Sequence, residues 1–291
     1  MLLEKDIIKI FCGVDDFCKS FEKDYERNQV SDGKIKRRRK GNLSLSEVVT
    51  IMIIYHQSGM SCFKHFYYYL LLEKKDLFKN LVHYDSFIRL IKKSFPAFVY
   101  LLKSLYGKVT EYTFIDATPY SVCYGLREGR HKVFKGMAEK GKTSTGWFFG
   151  LKLHIIFNTQ GEIVRMCITP GNINDRKPVP DLLEGITTKL IGDKGYISKK
   201  LFDKLFENET TLITKVKKNM KNCLLLMKDK LMLKKRSFVE TIFSSLKSLH
   251  TFVHHRHRCP INAFSHILAA LASYQLRDDK PTLDPKIFII S

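Results

Sequence analysis

Three acidic residues that are far apart in the sequence have the surroundings of metal ligands. Asp116 lies within the run Tyr112-Thr-Phe-Ile-Asp-Ala117, which is rich in residues that favour β-strands. Asp193 directly follows the short apolar run Lys189-Leu-Ile-Gly192, and Glu240 lies in a segment with helical periodicity. A carboxylate inside an apolar strand is costly unless a cation or hydrogen-bond donors offset its charge. These contexts make the three acids candidates for binding a cation together.

The chemistry that such a set could perform is phosphoryl transfer. Mg²⁺ and Mn²⁺ prefer oxygen ligands, and they commonly take a few carboxylates from the protein and further oxygens from a phosphate substrate. Two such ions about 4 Å apart can activate an attacking water or 3′-hydroxyl and stabilise the leaving oxygen of an in-line displacement. We therefore expect Asp116, Asp193 and Glu240 to be catalytic and to hold two Mg²⁺ or Mn²⁺ ions.

The acids also have structural interpretations that involve no metal, because caps and surface charges are common functions of any carboxylate. Asp193 lies between Gly192 and Gly195, which allow a tight turn, and an ordinary turn would explain it as well. Glu240 follows Arg236 by four residues, so a salt bridge along one helical face would explain this acid too.

Two weaker features could also take part in metal binding. Asp175 belongs to the run Asn172-Ile-Asn-Asp175, where it could be an auxiliary carboxylate or a turn-capping residue. The run His254-His-Arg-His-Arg-Cys259 alternates histidine with arginine and lacks a second pair of zinc ligands. That pattern favours DNA contact or a basic loop over a zinc site.

The chain is strongly basic, with 50 Lys and Arg against 29 Asp and Glu and a formal net charge of +21. This imbalance costs self-repulsion unless a polyanion offsets it, and double-stranded DNA is the partner that we expect. An anionic membrane surface is the alternative, but the basic residues are spread over many segments and form no single amphipathic helix. The residues expected to contact DNA are Arg236, Lys247, Lys194, Lys152, Lys217, Lys218 and Lys235.

Two segments contribute most of the basic surface. The first runs from Lys215 to Arg236 and contains nine basic residues and one acid, Asp229, a composition suited to phosphate contact or to a solvated face. The second follows the first strand, and we expect it to be a loop that becomes ordered on DNA. Its basic residues are Arg127, Arg130, Lys132, Lys135, Lys140 and Lys142.

Signals for secretion, membrane insertion and disulfide formation are lacking in the sequence. The first six residues contain two acids and begin no basic-then-apolar pattern, so we expect no secretory signal. The longest apolar stretches are far shorter than the roughly 20 residues that cross a bilayer, and we expect no membrane partner. The seven cysteines are scattered and include no C-x-x-C pair, which suits the reducing cytoplasm.

Residues 1–107 have helical patterns on either side of the basic run 34–40, which we expect to be a solvated connector. We expect the whole region to be an all-α unit for DNA binding or dimerisation. Apolar residues recur at helical spacing over 4–25, and Ser44 followed by Glu47 is a capping-box pattern. Asp85 is expected to cap a helix that ends at Ser94. This helix could be a DNA-recognition helix or part of an ordinary helical core. Further along the chain, Pro96 suits the first turn of the next helix.

From Tyr112 the pattern changes to short strands that alternate with helices. We expect Pro119 to end the first strand and Ser198 to cap a helix. The combination predicts a mixed five-stranded sheet flanked by helices, in an α/β domain over 108–280 that carries the three acids, and a tail over 281–291. The expected strands cover 112–117, 148–157, 163–169, 189–192 and 211–216, and the last two helices cover 236–249 and 263–276.

Four motifs in a fixed order resemble the IS982 family of insertion-sequence transposases over nearly the whole chain. They lie at 141–154, 169–176, 192–196 and 235–243. The resemblance implies an RNase H-like domain, a DDE triad at Asp116, Asp193 and Glu240, dependence on Mg²⁺ or Mn²⁺, and action on the ends of a mobile element. We also expect a homodimer on DNA.

A related signature of IS4-type transposases consists of Tyr, Arg, Glu and Lys. Arg236, Glu240 and Lys247 match its last three places, whereas Leu233 stands in place of the tyrosine. A tyrosine function at that place is therefore not expected here.

Two other functions are compatible with the same residues. A hydrolytic nuclease on this scaffold would cut DNA but never join it. A DNA-binding repressor descended from a transposase would keep the basic surface without the chemistry, and its binding would depend on salt but not on a divalent metal.

Overall fold

The computed structural model describes residues 3–31, 41–144, 146–216, 224–249, 252 and 257–283. The chain divides into two compact units. The first consists of Met1–Leu105, Leu246–Phe252 and His257–Arg277, and the second of Tyr106–Ser245, Val253–Arg256 and Asp278–Ser291.

The described residues form ten α-helices, six β-strands and two short 3₁₀ turns. The helices are α1 (Glu4–Ser31), α2 (Leu45–Gln57), α3 (Phe63–Glu73), α4 (Tyr84–Lys93), α5 (Phe95–Ser104), α6 (Val179–Leu182), α7 (Lys199–Glu207), α8 (Met227–Lys234), α9 (Ser237–Leu249) and α10 (Pro260–Gln275). The strands are β1 (Tyr112–Cys123), β2 (Glu139–Thr143), β3 (Gly146–Asn158), β4 (Ile163–Pro170), β5 (Lys189–Gly192) and β6 (Thr211–Thr214).

The first unit is helical, as the pattern of residues 1–107 predicts, and α2 lies at its centre. Residues 48–55 of α2 are buried, and α10 packs against α2, α4 and α5. The predicted capping box is present: the Ser44 hydroxyl accepts from the Glu47 amide at 3.1 Å, and the Ser44 amide donates to the Glu47 carboxylate at 2.7 Å. No described helix is long and apolar enough to cross a membrane.

The start of α4, the position of Pro96 and the packing of α10 test the expectations for the helical unit. Helix α4 begins at Tyr84 after His83, so the expectation that Asp85 caps it is wrong; Asp85 lies inside the first turn. Pro96 does lie in the first turn of α5. Helix α10, which we expected within a catalytic region over 108–280, packs with the amino-terminal helices, and its residues 265–275 are buried without interruption, as is typical of a helix that is apolar all round.

The second unit contains a mixed sheet in which β1 is central. β1 pairs antiparallel with β3 and parallel with β5, and β5 pairs parallel with β6. The other side of β3 is shared by two antiparallel partners, β4 along residues 151–157 and β2 along residues 146–150. The sheet order is therefore β2-β3-β1-β5-β6, with β4 beside β3.

The two faces of this sheet are covered by different helices. Phe114 and Phe157 are directly paired, and their rings meet Phe238 and Phe243 of α9 at centroid distances of 5.7 and 5.6 Å. On the opposite face, Ile115 and its neighbours form a core with residues of α6 and α7. Alternation along β1 therefore places Asp116, two residues after Phe114, on the same side as α9.

The sheet has six strands where the sequence predicted five. The additional strand, β2, forms inside the basic segment that we expected to be a loop, and it pairs with the first part of β3. Strand β1 also continues to Cys123, so Pro119 does not end it. Because the described pairing of β1 with β5 stops at Phe114, one edge of β1 has no parallel partner at Pro119 and tolerates a residue without an N–H group.

Strands β1 and β3 approach each other so closely near Gly150 that a side chain would not fit. A Cβ atom at Gly150 would overlap the carbonyl oxygen of Tyr120, whereas a Cβ atom at Gly129 would meet nothing within 4 Å. We expect Gly150→Ala to lower the free energy of unfolding by roughly 1 to 3 kcal/mol, since backbone must move. Gly129→Ala, the matched control, should change it by less than about 1 kcal/mol.

Urea denaturation of both variants, followed by circular dichroism, measures this difference. Equal stability of Gly150→Ala and Gly129→Ala would contradict the described pairing of β1 with β3.

Candidate active site

Asp116 occupies the middle of the sheet face covered by α9. Its side chain is only 21% exposed, and the Arg236 Nη2 atom lies 2.8 Å from its Oδ2 atom. The backbone amide of Ala117 donates to the Oδ1 atom of Asp116 at 2.9 Å. An ionised carboxylate at such a position needs these partners, because burial removes most of its water.

Burial decides the protonation of Asp116. It raises the pKa of this carboxyl from 3.8 to about 6, even though Arg236 and the Ala117 amide act in the opposite direction. The charges of Asp193 and Asp175 raise the pKa further. Both acids therefore act on Asp116 through their charges, and the predicted convergence of the three carboxylates on a metal ion stays a prediction.

Asp193 follows β5 at the sheet edge toward which β1 also runs. β5 is parallel to β1, and the carboxyl ends of parallel strands meet at one edge, where α/β proteins place their sites. The Oδ1 atom of Asp193 accepts the Gly195 amide at 2.7 Å and caps the short 3₁₀ turn Lys194–Tyr196. A turn-capping function of Asp193 is therefore present, and its second carboxylate oxygen makes no described hydrogen bond.

Arg236 connects Asp116 to Glu240. Its Nη1 atom lies 3.1 Å from the Oε1 atom of Glu240, which is one helical turn further along the chain. The anticipated helical salt bridge is thus present, and the same guanidinium also contacts Asp116. Arg236 is 18% exposed and Glu240 is 65% exposed, so the bridge runs from the sheet interior to the surface. One cation offsets two carboxylates here.

Asp175 lies beside this group and has a lysine partner. The Lys152 Nζ atom donates to the Asp175 Oδ1 atom and to the Ile173 carbonyl oxygen, both at 2.9 Å. The Lys152 side chain is only 12% exposed. In this arrangement Lys152 therefore holds the loop after β4, and its expected contact with DNA remains a prediction.

The sequence interpretation assigned no function to His154. This residue is fully buried, pairs with Ala117 across β1 and β3, and its Nε2 atom lies 2.9 Å from the Thr169 hydroxyl. Burial lowers the pKa of His154 to about 4, so its ring is neutral at pH 7. The alternation of apolar and polar residues in β3 could have indicated a buried histidine, but not its partner on β4.

The residues expected to contact DNA are placed differently from one another. Lys194, Lys235 and Lys247 are exposed, so a phosphate can reach them without rearrangement. Lys217 and Lys218 lie outside the described residues, as do His254, His255 and Arg256. Asp229, the one acid of the basic segment 215–236, is buried and accepts from the Tyr112 hydroxyl at 2.6 Å.

The oxygen atoms of these carboxylates are ligands that hard divalent cations prefer, but their positions in this structure do not enclose a metal ion. Within the part of the chain that the structure describes, no three His, Cys, Asp or Glu side chains are arranged to enclose a metal ion. The Arg236 guanidinium bridges Asp116 and Glu240 instead. All candidate ligand atoms are oxygens, as Mg²⁺ and Mn²⁺ prefer, and the buried charge of Asp116 is one that a cation stabilises.

The raised pKa of Asp116 predicts a measurable stability effect. Folding favours its protonated form, so the stabilisation is complete below about pH 4 and is lost as the pH rises through 6. The uncharged variant Asp116→Asn should therefore raise the free energy of unfolding at pH 7.5 by roughly 1 to 3 kcal/mol. Chemical denaturation of both proteins between pH 4 and 8 measures this.

Asp203→Asn is the matched control, because Asp203 is exposed on α7 and should leave the stability at pH 7.5 within about 0.5 kcal/mol. A less stable Asp116→Asn variant at pH 7.5 would show that the ionised carboxylate is better stabilised than its burial implies.

Comparisons with known proteins agree with this fold. The fold is similar to that of piggyBac transposase in a synaptic complex with hairpin DNA, with a TM-score of 0.50 and 9% sequence identity over 83% of this chain and 68% of that chain. A search of curated proteins gave no match. Residues 106–260, more than half of the chain, match the family described as Transposase DDE domain. The chain therefore belongs to the Transposase DDE domain family.

Proposed function

We propose that this DDE transposase acts for an insertion sequence of the IS982 type, binding the terminal repeats of the element and cutting and joining DNA with Asp116, Asp193 and Glu240. The observation that carries the proposal is the buried carboxylate of Asp116, which lies within electrostatic range of Asp193 and shares Arg236 with Glu240. Because Asp116 and Glu240 share a single arginine, a bound divalent cation would stabilise this group of acids.

Asp116, Asp193 and Glu240 would hold two Mg²⁺ or Mn²⁺ ions, with Asp175 as an auxiliary acid. When bound, such ions activate the attacking oxygen and stabilise the leaving oxygen of a phosphodiester displacement. The protein contributes position: β1 carries Asp116, the turn directly after β5 carries Asp193, and α9 carries Glu240. The Gly195 amide orients one oxygen of Asp193 and leaves the other available for a ligand.

Arg236 has two functions in this proposal. In the described arrangement it partly offsets the effect of burial on the pKa of Asp116 and balances the charge of Glu240. Once it is released from either acid, its planar guanidinium can bind a DNA phosphate through two parallel hydrogen bonds. Arg236 is therefore proposed as the DNA contact nearest to the acids.

Double-stranded DNA is the proposed partner, both as element end and as target. The net charge of +21 supports this, and the structurally similar piggyBac transposase is seen in a complex with DNA. Lys194 and Lys235 are exposed close in sequence to Asp193 and Arg236, where they would contact phosphates. Lys247, Lys217, Lys218 and Lys152 complete the proposed set. We further propose a homodimer on DNA and a cytoplasmic location.

Removal of single carboxylates tests the assignment of the acids. We expect Asp116→Asn, Asp193→Asn and Glu240→Gln each to reduce metal-dependent cleavage and strand transfer by at least about 100-fold, because each removes a ligand. The substrate is linear DNA that carries the element's own terminal repeats, assayed on denaturing gels with Mg²⁺, with Mn²⁺ and with EDTA. DNA binding measured by anisotropy should be retained.

Asp203→Asn is again the control, because it removes an exposed charge of the same kind on α7, which carries none of the three acids. Full activity in any of the three acid variants would remove that residue from the proposal. Products that are cut but never joined would indicate a hydrolytic nuclease. Binding that depends on salt, without cleavage in any metal, would indicate a non-catalytic derivative.

A further inference from the structure

A two-stranded ribbon extends from the sheet beyond the ends of its neighbouring strands. The pairing of β1 with β3 stops at Phe149, and that of β4 with β3 stops at Leu151. Residues 139–143 of β2 therefore pair with residues 146–150 of β3, of which 146–148 have no other described strand partner. Such a ribbon has no core of its own and exposes the side chains near its tip.

The base of this ribbon is held by close backbone packing. A Cβ atom at Gly141 would overlap the carbonyl oxygen of Gly171, in the loop after β4, and would lie 2.6 Å from the Phe148 ring. Only glycine allows this approach. The ribbon is therefore fixed to the sheet at Gly141, and its tip is presented in a defined direction.

The tip carries Trp147, the one tryptophan of the chain, and its side chain is 65% exposed. Tryptophan has a large apolar surface that folding normally buries. An exposed tryptophan on a rigid ribbon is unfavourable for the isolated protein, so its surroundings indicate which ligand could cover it.

Two lysines approach the indole ring. Lys142 is directly opposite Trp147 in the register of β2 and β3, and Lys140 is two residues away on the same side of the ribbon. The Nζ atom of each lies 5.6 Å from the ring centroid. The surface is therefore an aromatic plane flanked by two ammonium groups, and both lysines are exposed.

We infer that Trp147, Lys140 and Lys142 form a binding site for single-stranded DNA, in which an unpaired base stacks on the indole ring and the lysines bind the adjacent phosphates. Stacking on an aromatic side chain combined with backbone neutralisation is the chemistry by which proteins bind single strands. An intact duplex hides the faces of its bases, so it could satisfy the lysines but not the tryptophan. The inference rests on the proposed function in one respect, that DNA is the substrate.

The position of the ribbon limits how far along the DNA the stacked base can lie from the reacting phosphate. Ile155 of β3 pairs with Asp116. The eight residue steps along β3 from Trp147 to Ile155 span at most roughly 27 Å. The ribbon extends from the carboxyl end of β1, the direction in which β5 also runs toward Asp193. At 3.4 Å per nucleotide along a strand, the stacked base would be about eight nucleotides or fewer from the reacting phosphate.

The single tryptophan makes the site directly observable by intrinsic fluorescence. The full chain, in EDTA so that no cleavage occurs, is titrated with a blunt duplex of mixed sequence and with the same duplex carrying a ten-nucleotide single-stranded tail. Binding is followed in parallel by the anisotropy of a dye on the DNA. We expect the tailed duplex to quench tryptophan emission and the blunt duplex to bind with little quenching.

Variants separate stacking from charge. Trp147→Ala should weaken binding of the tailed duplex about tenfold and that of the blunt duplex less than about twofold, whereas Trp147→Phe should retain most of the affinity. Lys140→Ala and Lys142→Ala should weaken both DNAs and each lower the slope of log affinity against log salt by about one. Phe206→Ala removes another exposed aromatic, on α7, and should change neither.

Unchanged tryptophan emission on DNA that anisotropy shows to be bound would overturn this inference and leave the proposed transposase function standing. An equal loss of affinity for the tailed and the blunt duplex in Trp147→Ala would also overturn it. So would a shift of tryptophan emission that depends on protein concentration and not on DNA, because it would indicate that a second copy of the chain covers Trp147. No binding of either DNA would contradict both proposals. Thermal denaturation of each variant confirms that the folded state is compared.

Discussion

The candidate site depends on the cost of keeping one carboxylate charged inside a sheet. Asp116 is surrounded by apolar strands, and burial raises its pKa to about 6 although an arginine lies 2.8 Å away. A protein gains no stability from such a residue, because an uncharged side chain would fit the same strand more cheaply. In our proposal a cation that binds the charged form accounts for its presence, and membership of the Transposase DDE domain family is consistent with that proposal.

The surrounding structure serves to position this charge and to balance it. Parallel pairing of β1 with β5 brings Asp116 and Asp193 to one sheet edge, and the ring contacts of Phe238 and Phe243 fix α9 over the same face. Arg236 then reaches both Asp116 and Glu240 from the start of that helix. The guanidinium occupies the space between these acids, so metal binding and rearrangement of Arg236 are coupled in our account.

Local patterns in the sequence predicted most of the strands and helices. The capping box at Ser44 is present, as are the two strands expected over 148–157 and 163–169 and the helix after Ser198, because each depends on neighbouring residues alone. Strand β2 was not predicted, since its basic residues resemble a loop until β3 supplies a partner. Helix α8 was also missed: Asp229 reads as one acid among many lysines, and its burial against Tyr112 and Lys189 depends on distant parts of the chain. The three acids could be proposed from their local sequence contexts. The bridging position of Arg236 could not, because its contact with Asp116 joins distant parts of the chain.

The central claim is that Asp116, Asp193 and Glu240 together bind divalent cations beside a phosphodiester. The most direct measurement is anomalous scattering from Mn²⁺ in crystals of the protein bound to DNA. The account predicts Mn²⁺ between Asp116 and Asp193, with Glu240 as a further ligand and Arg236 moved away from at least one acid. Crystals in which DNA is bound, Mn²⁺ is absent from these acids and Arg236 still bridges Asp116 and Glu240 would contradict it.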